Sequence, residues 1–589
     1  MTCDDSTQSN SEGFRVKLQI ERNVASRLFQ QCPSLSSWEE QLKLASRVEI
    51  PFQVFNLEQL NLLIDLYDQL PGGAGKKAQL QALRDASFAD EPVNAGEDLE
   101  ELLPELIAHL SQNVERGWLF RLEGSGTLLP WAVSRIDFTP AGSEEQARIV
   151  IDLKANSRGK LETKQLIISE RDLNNQSLVE LLATKGYLKE TEQLLASFDA
   201  ANERYINWRA NFGEQFSGSG TGIYAEDPSA SHRNSDWGRK PRVVLSASGG
   251  DARLVNDEEV LAERELTLQQ SGNILNAMLK RIARQSSFSD EVDKRIEALA
   301  EAIPAHLFTR IPVHAYILMF HLELHHHLWV HVDNLEPYRY QPELKDKLVL
   351  PQAHTDLIDI LTAEMEMLLD DIIEGKSGGT TVLCSGPAGV GKTLTAEVYA
   401  EIIGRPLYRV HSGQLGLNVA EMEKNLKDVL IRAQRWGAVM LIDEADVYIK
   451  RRDDNLTMNA VVGVFLRVLE YFNGLLFLTT NRIDDIDEAI ISRCIAMVRY
   501  QHPDTEERSR IWQVMAQQFS LPLEATLLDQ LAERFASASG RDIKGLAKLV
   551  AKFCSFRDCP PSMEVFEHCA SFRGLDMTGT NALSPKSAA

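Results

Sequence analysis

Apolar and polar positions in the first 250 residues change their spacing along the chain. Residues 57–70, 99–114 and 178–202 carry apolar side chains three or four positions apart, the spacing of an amphipathic helix. Short apolar runs bounded by turn-forming residues predict strands at 118–122, 147–153 and 165–169. The pattern therefore predicts a large α+β N-terminal region over residues 1–255.

Two further stretches separate this region from the C-terminal half. Residues 216–251 are rich in Gly, Ser, Asp and Asn, a composition that predicts a loop or a mobile linker. The spacing of a helix returns from 258 to about 302. We therefore expect a helical connecting region over 256–342.

Six histidines crowd into the connecting region, at positions 314, 321, 325, 326, 327 and 331. On a helix, His321 and His325 would share one face, and imidazoles paired in this way can bind Zn²⁺. Apolar and aromatic neighbours such as Tyr316 and Trp329 favour instead a buried helix or strand pair that packs on the C-terminal half. We expect packing rather than a metal site.

From residue 343 the pattern changes to strand-sized apolar runs that alternate with helix-sized amphipathic segments. The runs occupy 381–385, 407–410, 439–442, 475–479 and 495–500. Such alternation predicts an α/β fold in which helices cover both faces of a parallel sheet. The signal is helical from 503 to about 556. We expect an α/β subdomain over 343–502, a helical lid over 503–560 and a mobile tail over 561–589.

Composition and charge restrict the partners of the chain. Its 589 residues carry 85 acidic and 62 basic side chains, a net charge of −23, and such a surface repels the phosphate backbone of nucleic acid. Seven cysteines without a CxxC pair suit a reducing compartment. The sequence has no signal-peptide pattern and no uninterrupted apolar run of about 18–20 residues. We expect a cytoplasmic protein that binds neither nucleic acid nor a membrane.

The strongest chemical signal is a glycine-rich loop between a predicted strand and a predicted helix. Residues 386–393 follow the pattern GxxxxGK[ST]. Backbone N–H groups of such a loop converge on a β-phosphate, the lysine reaches the β- and γ-phosphates, and the threonine hydroxyl binds Mg²⁺. We therefore assign nucleotide binding to Gly386, Pro387, Ala388, Gly389, Val390, Gly391, Lys392, Thr393 and Leu394.

Two later strands end in polar side chains that suit a hydrolytic site. The third apolar run leads into Asp443 and Glu444. Asp443 would join Thr393 in holding Mg²⁺, and Glu444 would polarise the attacking water as general base. Asn481 follows the fourth run, where its amide could hold that water or a γ-phosphate oxygen. The alternative for Asn481 is an ordinary turn cap.

These motifs together resemble the AAA+ ATPases, and most closely the AAA family proper. The similarity rests on GPAGVGKT, LIDEAD, FLTTNR, IDEAIISR and SGRDIKGL, in the order and spacing of the family, over about 343–556. The resemblance implies a P-loop NTPase parallel sheet sandwiched by helices, a small helical lid, and ATP and Mg²⁺ as cofactors. It also implies a homo-oligomer, as a hexameric ring.

The resemblance also implies roles for three residues. Asn481 matches the sensor-1 residue, and Arg493 matches the arginine finger that reaches the γ-phosphate of a neighbouring subunit. Arg541 matches the sensor-2 position, where members of the AAA family proper usually lack an arginine. A surface ion pair is the alternative for either arginine.

Two features depart from the family pattern. Met497 stands where a second arginine is common. Residues 413–420 occupy the place of the pore loop but contain no aromatic side chain to grip an extended polypeptide, although Leu417 and Val419 are apolar. The resemblance therefore does not extend to threading of a substrate through a pore.

These features favour an ATP-hydrolysing remodeller of a protein substrate or complex. The N-terminal region would bind the substrate or an adaptor. The alternative is a nucleotide-switched assembly or scaffold protein with slow hydrolysis, which the missing pore aromatic favours. Action on nucleic acid is a third hypothesis, which the net charge of −23 disfavours.

Overall fold

The computed structural model describes most of the chain, in segments separated by gaps. The described residues are 17–43, 47–70, 73–87, 98–123, 127–141, 146–173, 177–226, 242–245, 250–258, 290–350, 354–356, 360, 379–416, 418–452, 456–482 and 485–575. Most of the helix expected from 258 to 302 therefore lies outside the described residues. Short 3₁₀ segments occupy Pro33–Lys43, Phe52–Val54, Glu170–Asp172, Val332–Asn334 and Pro342–Lys347.

The first described unit is a two-stranded antiparallel sheet with three helices. Its elements are β1 (Lys17–Glu21), α1 (Arg22–Gln31), β2 (Arg47–Pro51), α2 (Leu57–Asp68) and α3 (Ala74–Ser87). The Asn56 side chain caps α2 by accepting a hydrogen bond of 2.8 Å from Gln59 N. The helix ends within two residues of the bound that its apolar spacing predicts.

A five-stranded antiparallel sheet follows. Its strands are β3 (Trp118–Leu122), β4 (Leu128–Thr139), β5 (Arg148–Ser157), β6 (Lys160–Ser169) and β7 (Tyr187–Lys189), in the order β6-β5-β4-β3-β7. Helices α4 (Leu99–Ser111) and α5 (Leu178–Thr184) bury one face, and the first unit packs on the other. The prediction of a single helical stretch over 178–202 is wrong. A turn at Gly186 (φ +80°) follows α5 and leads into β7.

A seven-stranded antiparallel sheet connects these units to the C-terminal half. Its strands are β8 (Gln215–Gly218), β9 (Thr221–Ala225), β10 (Arg242–Val244), β11 (Ala252–Asn256), β12 (Tyr316–His321), β13 (His326–His331) and β14 (Leu335–Pro337), in the order β10-β9-β13-β12-β11-β8-β14. Helix α6 (Glu192–Arg209) packs on this sheet, whereas α7 (Asp290–Ala302) packs on the five-stranded one.

This sheet corrects two expectations. The described part of 216–251 supplies strands instead of a linker. In the described part of 256–342, α7 is a helix as expected, but β12, β13 and β14 make this stretch a mixture of helix and sheet. The small residues that favoured a linker have a packing role. A Cβ at Gly218 would lie 2.4 Å from Leu254 Cδ1, so glycine leaves room for a large apolar neighbour on the next strand.

Four histidines of the cluster, at positions 321, 326, 327 and 331, lie on strands of this sheet, which rules out the helical alternative. Strands β12 and β13 form a hairpin that pairs His321 with His326. The buried members are His314, His321, His327 and His331. Within the described part of the chain, no three His, Cys, Asp or Glu side chains are grouped so as to hold a metal ion. The expected buried strand pair is present.

The strand pair packs on the C-terminal half, as expected. The ring centroid of Phe320 on β12 lies 5.0 Å from that of Trp436 and 5.6 Å from that of Tyr408. Asp257, buried at the end of β11, accepts a hydrogen bond of 3.0 Å from Trp436 Nε1 and lies 2.8 Å from His327 Nε2. An aromatic cluster and a buried carboxylate therefore join the two parts of the chain.

The C-terminal half contains the predicted parallel sheet. Its strands are β15 (Thr380–Ser385), β16 (Leu407–His411), β17 (Val439–Asp443), β18 (Leu475–Thr480) and β19 (Ala496–Arg499), in the order β16-β17-β18-β15-β19. The helices among them are α8 (Lys392–Ile403), α9 (Ser412–Leu415), α10 (Val419–Arg435), α11 (Asp446–Ile449), α12 (Leu456–Leu469) and α13 (Glu488–Ile491). Along β15, Leu383 joins one apolar cluster and its neighbours Val382 and Cys384 join another. Both faces of the sheet are therefore buried.

Four helices form the lid that follows. They are α14 (Thr505–Gln518), α15 (Ala525–Arg534), α16 (Gly540–Arg557) and α17 (Met563–Ser571). The prediction of a mobile tail from residue 561 is wrong for α17, because Phe566 and Cys569 are fully buried in the lid core. Pro560 and Pro561 interrupt the helical pattern before it. Across the described part of the chain, every helix is too short or too polar to span a bilayer.

Candidate functional site

The glycine-rich loop joins β15 to α8 at the carboxyl edge of the parallel sheet. Gly386 has φ +149°, and a Cβ there would lie 2.5 Å from the carbonyl oxygen of Tyr500. Gly389 has φ +82°, and its Cβ would lie 2.8 Å from Ser539 Oγ of the lid. Glycine is required at both positions, because a side chain would meet backbone strain and a close neighbour together.

Lys392, the first residue of α8, points its ammonium group into the loop. Its Nζ donates hydrogen bonds to the carbonyl oxygens of Gly386 (2.7 Å) and Pro387 (2.6 Å) and to Asn481 Oδ1 (2.9 Å). Burial lowers the pKa of Lys392, while the carboxylate of Asp446 opposes that shift. The three acceptors are neutral oxygens, which a phosphate oxygen can replace.

Asp443, at the end of β17, is held through both carboxylate oxygens. Its Oδ1 accepts hydrogen bonds from Thr479 Oγ1 (2.5 Å) and Thr393 Oγ1 (3.0 Å), and its Oδ2 lies 2.6 Å from Arg409 Nη2. Burial would raise the pKa of Asp443, but the hydrogen bond from Thr479 and the charge of Arg409 hold it below its usual value. The carboxylate is therefore ionised at neutral pH, beside the hydroxyl of the other predicted metal ligand.

Glu444 follows Asp443 in an unusual backbone conformation. Its φ is +55°, a left-handed value that is strained for a residue with a side chain. Its N–H donates a hydrogen bond of 3.0 Å to Thr479 Oγ1, which holds the strained turn in place. The Glu444 side chain is exposed, in contrast to the buried Asp443. Strain of this kind concentrates at functional sites.

Asn481 follows β18 and is oriented from two sides. Its Oδ1 accepts the hydrogen bond from Lys392 Nζ, and its backbone N–H donates to Asp446 Oδ1 at 3.1 Å. The Thr480 hydroxyl donates to the same carboxylate oxygen. The amide predicted to contact phosphate therefore lies beside the lysine of the loop.

The lid contacts the loop through the start of α16. The backbone N–H of Arg541 donates a hydrogen bond of 3.1 Å to the carbonyl oxygen of Gly389. The guanidinium is exposed, and its positive charge lowers the pKa of Lys392 slightly, after the larger effect of burial. The position that resembles sensor 2 therefore lies at the phosphate loop.

Arg493 is the predicted site residue that lies apart from this cluster. Its Nη2 forms an ion pair with Glu470, and its Nη1 donates a hydrogen bond of 3.1 Å to the carbonyl oxygen of Ala489. Within the described residues, no hydrogen bond or ion pair joins it to Lys392 or Asp443. An arginine so placed does not reach the loop of its own chain.

The other predicted loop residues complete the turn into α8. Gly391, with φ +103°, is the N-cap of the helix. Ala388 and Leu394 are exposed, whereas Val390 is half-buried against the apolar cluster on one face of the sheet. Their role is to set the backbone path, since their side chains offer no polar group to a phosphate.

Sequence reasoning missed Arg409, Thr479 and Asp446 as site residues. Arg409 interrupts the apolar strand β16, and a charge at the centre of such a strand is a signal that could have identified it. Thr479 and Asp446 lie inside the motifs FLTTNR and LIDEAD, but neither motif reveals that they hold Asp443 and Asn481.

Tyr448 contacts the backbone at both ends of α9, beside the place of a pore loop. The one hydroxyl proton of Tyr448 is shared between the carbonyl oxygens of Ser412 and Gly416, which lie 2.7 Å and 2.9 Å from Oη. Val419, the first residue of α10, is half-buried against an apolar cluster of the sheet. Leu417, the other apolar candidate, lies outside the described residues.

The residues at this edge fit a magnesium nucleotide. A hydroxyl and an ionised carboxylate, from Thr393 and Asp443, lie together at 3.0 Å and are oxygen ligands that Mg²⁺ accepts. The ammonium of Lys392 and the start of α8 are suited to phosphate oxygens. The buried Ser385 Oγ, which has no hydrogen-bond partner in the described part of the chain, is a further polar atom at the base of the loop.

Most residues of this site lie in a segment that matches a known family model. Residues 382–501 match the family model described as "ATPase family associated with various cellular activities (AAA)", and this segment is an AAA domain with the P-loop α/β fold. A chain in the structure of the E. coli MS115-1 HORMA:CdnC:Trip13 complex is 17% identical, with a TM-score of 0.32, over 39% of this chain and 91% of that one. That similarity is too low to carry an argument.

Curated relatives match about a third of the chain. The ATP-dependent zinc metalloprotease FtsH 3 of Sphaerobacter thermophilus is 31% identical, over 28% of this chain and 35% of that protein. A putative 26S proteasome regulatory subunit homolog of Methanocaldococcus jannaschii is 29% identical, over 31% and 51%. An uncharacterized AAA domain-containing protein of Schizosaccharomyces pombe is 33% identical, over 30% and 24%. The chain thus spans about a quarter to a half of these relatives.

Proposed function

We propose that this chain is an ATPase that couples ATP hydrolysis to remodelling of a protein substrate or complex. The observation that carries the proposal is the convergence of Lys392, Asn481, Thr393 and Asp443 through direct hydrogen bonds at one edge of the parallel sheet. The AAA domain supports ATP hydrolysis as the chemistry of that edge.

Binding of ATP would exchange bonds within the loop for bonds to phosphate. Lys392 Nζ would transfer from the carbonyl oxygens of Gly386 and Pro387 to β- and γ-phosphate oxygens, with little movement of α8. Thr393 and Asp443 would hold Mg²⁺, which neutralises phosphate charge when bound. Asn481, next to Lys392, would contact the γ-phosphate or the attacking water.

Hydrolysis requires a base near the γ-phosphate, and Glu444 is our assignment. Its carboxylate would accept a proton from the attacking water while the bond between the γ-phosphorus and the bridging oxygen breaks. Glu444 is exposed, with a strained backbone at φ +55°, whereas Asp443 is buried, and this difference supports separate roles for the two carboxylates.

We assign Arg493 to the γ-phosphate of a neighbouring subunit in a ring. Two observations support this role: Arg493 is exposed, and its ion pair is with Glu470 instead of a residue of its own phosphate site. An arginine supplied in trans stabilises the charge of the transition state. The names of the protease and proteasome relatives support a protein as the substrate.

A nucleotide-switched scaffold is the second candidate. The segment 413–420 has no aromatic side chain, and its apolar Val419 is half-buried. In this alternative, ATP drives assembly and slow hydrolysis times disassembly. Added unfolded protein would then leave the rate of ATP turnover unchanged, whereas a remodeller would respond to its substrate.

The test of the proposed function is Mg²⁺-dependent release of phosphate from ATP. Lys392→Ala should weaken ATP binding by about a hundredfold or more, because charge-assisted bonds to phosphate are lost, and turnover should fall with it. Lys427→Ala is the control, since the ion pair that Lys427 forms within the described part of the chain is with Glu423, four residues away on α10. Unchanged ATP binding by Lys392→Ala would exclude the loop as the nucleotide site.

A further inference from the structure

One residue of β18, Thr479, contacts the whole turn that follows β17. The parallel pairing of the two strands ends at Ile442 and Leu478, one residue before Asp443 and Thr479. Beyond that point, the backbone oxygen of Thr479 accepts a hydrogen bond of 2.9 Å from Ala445 N, and its side chain bonds to the two residues before Ala445. Contacts from Thr479 therefore replace the strand pairing where the chain leaves β17.

The hydroxyl of Thr479 has one possible orientation. It accepts a hydrogen bond of 3.0 Å from the backbone N–H of Glu444, which can only donate. It donates its one proton to Asp443 Oδ1 at 2.5 Å, and an ionised carboxylate can only accept. The hydroxyl therefore links the assigned metal ligand to the backbone of the assigned base in a fixed order.

The sheet fixes the position of Thr479. Its exposed fraction is 1%, and β18 is the central strand of the five. On the side away from β17, Thr479 pairs with Cys384 of β15. Because so buried a side chain is shielded from bulk water, the two hydrogen bonds of its hydroxyl are strong and costly to lose.

The backbone of Glu444 depends most on this contact. Its φ of +55° is a left-handed value, which a residue with a side chain adopts only at a cost. Strain of this kind persists where the surrounding contacts hold it. Thr479 supplies two such contacts, from its hydroxyl to Glu444 N–H and from its backbone to Ala445 N–H. Loss of the hydroxyl would let Glu444 relax and would redirect its carboxylate.

The next two residues, Thr480 and Asn481, contact other parts of the site. The Thr480 hydroxyl donates to Asp446, and the Asn481 side chain accepts from Lys392. Within the described part of the chain, no hydrogen bond joins either residue to Glu444. The hydroxyl that holds the turn of the base is therefore that of the residue immediately before them.

We infer that Thr479 is a positioning residue for ATP hydrolysis, whose hydroxyl holds the carboxylate of Glu444 where it meets the attacking water. The inference rests on the proposed function, because Thr479 acts through the assigned base. In this role Thr479 touches neither phosphate nor the attacking water. Its loss affects kcat, since a displacement of about 1 Å can slow a reaction about a hundredfold, whereas ATP binding depends on the loop.

Kinetics of ATP turnover by the full chain at saturating Mg²⁺ test the inference. Thr479→Val removes the hydroxyl and keeps the shape, so kcat should fall about a hundredfold while the KM for ATP changes by less than about threefold. Thr479→Ser, which keeps the hydroxyl, should stay within about threefold of the wild type. Thr381→Val is the matched control and should match the wild type, since Thr381 is a buried threonine of the neighbouring strand β15 that pairs with Leu476.

Hydrogen exchange of the nucleotide-free chain gives a readout that does not depend on activity. The amide of Glu444 loses its acceptor in Thr479→Val, so its exchange should accelerate about tenfold, whereas Thr479→Ser should keep the wild-type rate. Thr479→Ala also lacks the hydroxyl and should behave as Thr479→Val in both measurements, so it serves in place of the valine variant if that variant does not fold.

The double variant Thr479→Val with Glu444→Gln separates positioning of the base from a general structural effect. If Thr479 acts through Glu444, its loss has little further effect once the base is gone, and kcat should lie within about threefold of Glu444→Gln alone. Multiplied losses of kcat, an unchanged Glu444 amide, wild-type turnover by Thr479→Val, or equal slowing by Thr479→Ser would each overturn the inference. Wild-type turnover by Glu444→Gln would instead overturn the proposed function.

Discussion

At the scale of single residues, Arg409 and two threonines decide the charge of Asp443. Burial alone would favour the neutral carboxyl, but Thr479 and Thr393 donate to one oxygen and Arg409 pairs with the other. The pKa of Asp443 is therefore low, and the metal-binding form persists as the pH falls until that pKa is reached.

Replacing Arg409 should reveal its effect on the pKa of Asp443. In Arg409→Met the pKa of Asp443 rises, so the carboxylate is protonated at a higher pH than in the wild type. The acid limb of the pH profile of Mg²⁺-dependent ATP turnover should therefore move to higher pH. Arg405→Met is the control, because the exposed Arg405 side chain donates to the carbonyl oxygen of Gly437 and, within the described residues, forms no ion pair with Asp443. Identical acid limbs for both variants would contradict the account.

At the scale of elements, the hairpin of β12 and β13 joins the seven-stranded sheet to the AAA domain. Tyr316 and Leu318 face the five-stranded sheet, and Phe320, further along the same strand, packs on Trp436 at the end of α10. One strand face thus contacts both neighbouring parts of the chain.

Removing the Phe320 ring should loosen this joint. Phe320→Ala deletes a fully buried aromatic side chain, a loss of about 3–5 kcal/mol. Exchange of backbone amides in β12 and in the last turns of α10 should therefore accelerate by more than about a hundredfold. Phe556→Ala is the control, since Phe556 is 82% exposed on the lid. Equal protection in both variants would show that the ring does not hold the joint.

The sequence predicted the elements that can be identified from a short continuous stretch of residues, such as an apolar run or a motif. The five parallel strands lie within one or two residues of their apolar runs, and the loop residues lie where GPAGVGKT places them. Apart from the pair β12 and β13, the seven-stranded sheet could not be predicted, because its other strands have three to five residues and its small residues are explained by neighbours distant in sequence, as Gly218 is by Leu254. Arg409 was missed for the same reason: its partner is on another strand.

At the scale of the whole molecule, the proposed ring requires residues from two subunits at each site. Arg493→Ala should abolish turnover, and Glu444→Gln should do so separately. Mixing the two variants should restore part of the activity, because a Glu444→Gln subunit supplies Arg493 to a neighbour with an intact base. The measurement is phosphate release against mixing ratio. A mixture no more active than its components would contradict the assignment in trans.

Hydrolysis of ATP at this edge of the sheet is tested most directly by comparing ATP binding with ATP turnover in Glu444→Gln. Turnover should fall by about 10²–10⁴-fold, while ATP affinity should stay within about threefold of the wild type, because the loop and Asp443 are untouched. Glu506→Gln, an exposed carboxylate on the lid, should match the wild type in both measurements. Wild-type turnover by Glu444→Gln would contradict the claim that this edge of the sheet hydrolyses ATP through Glu444.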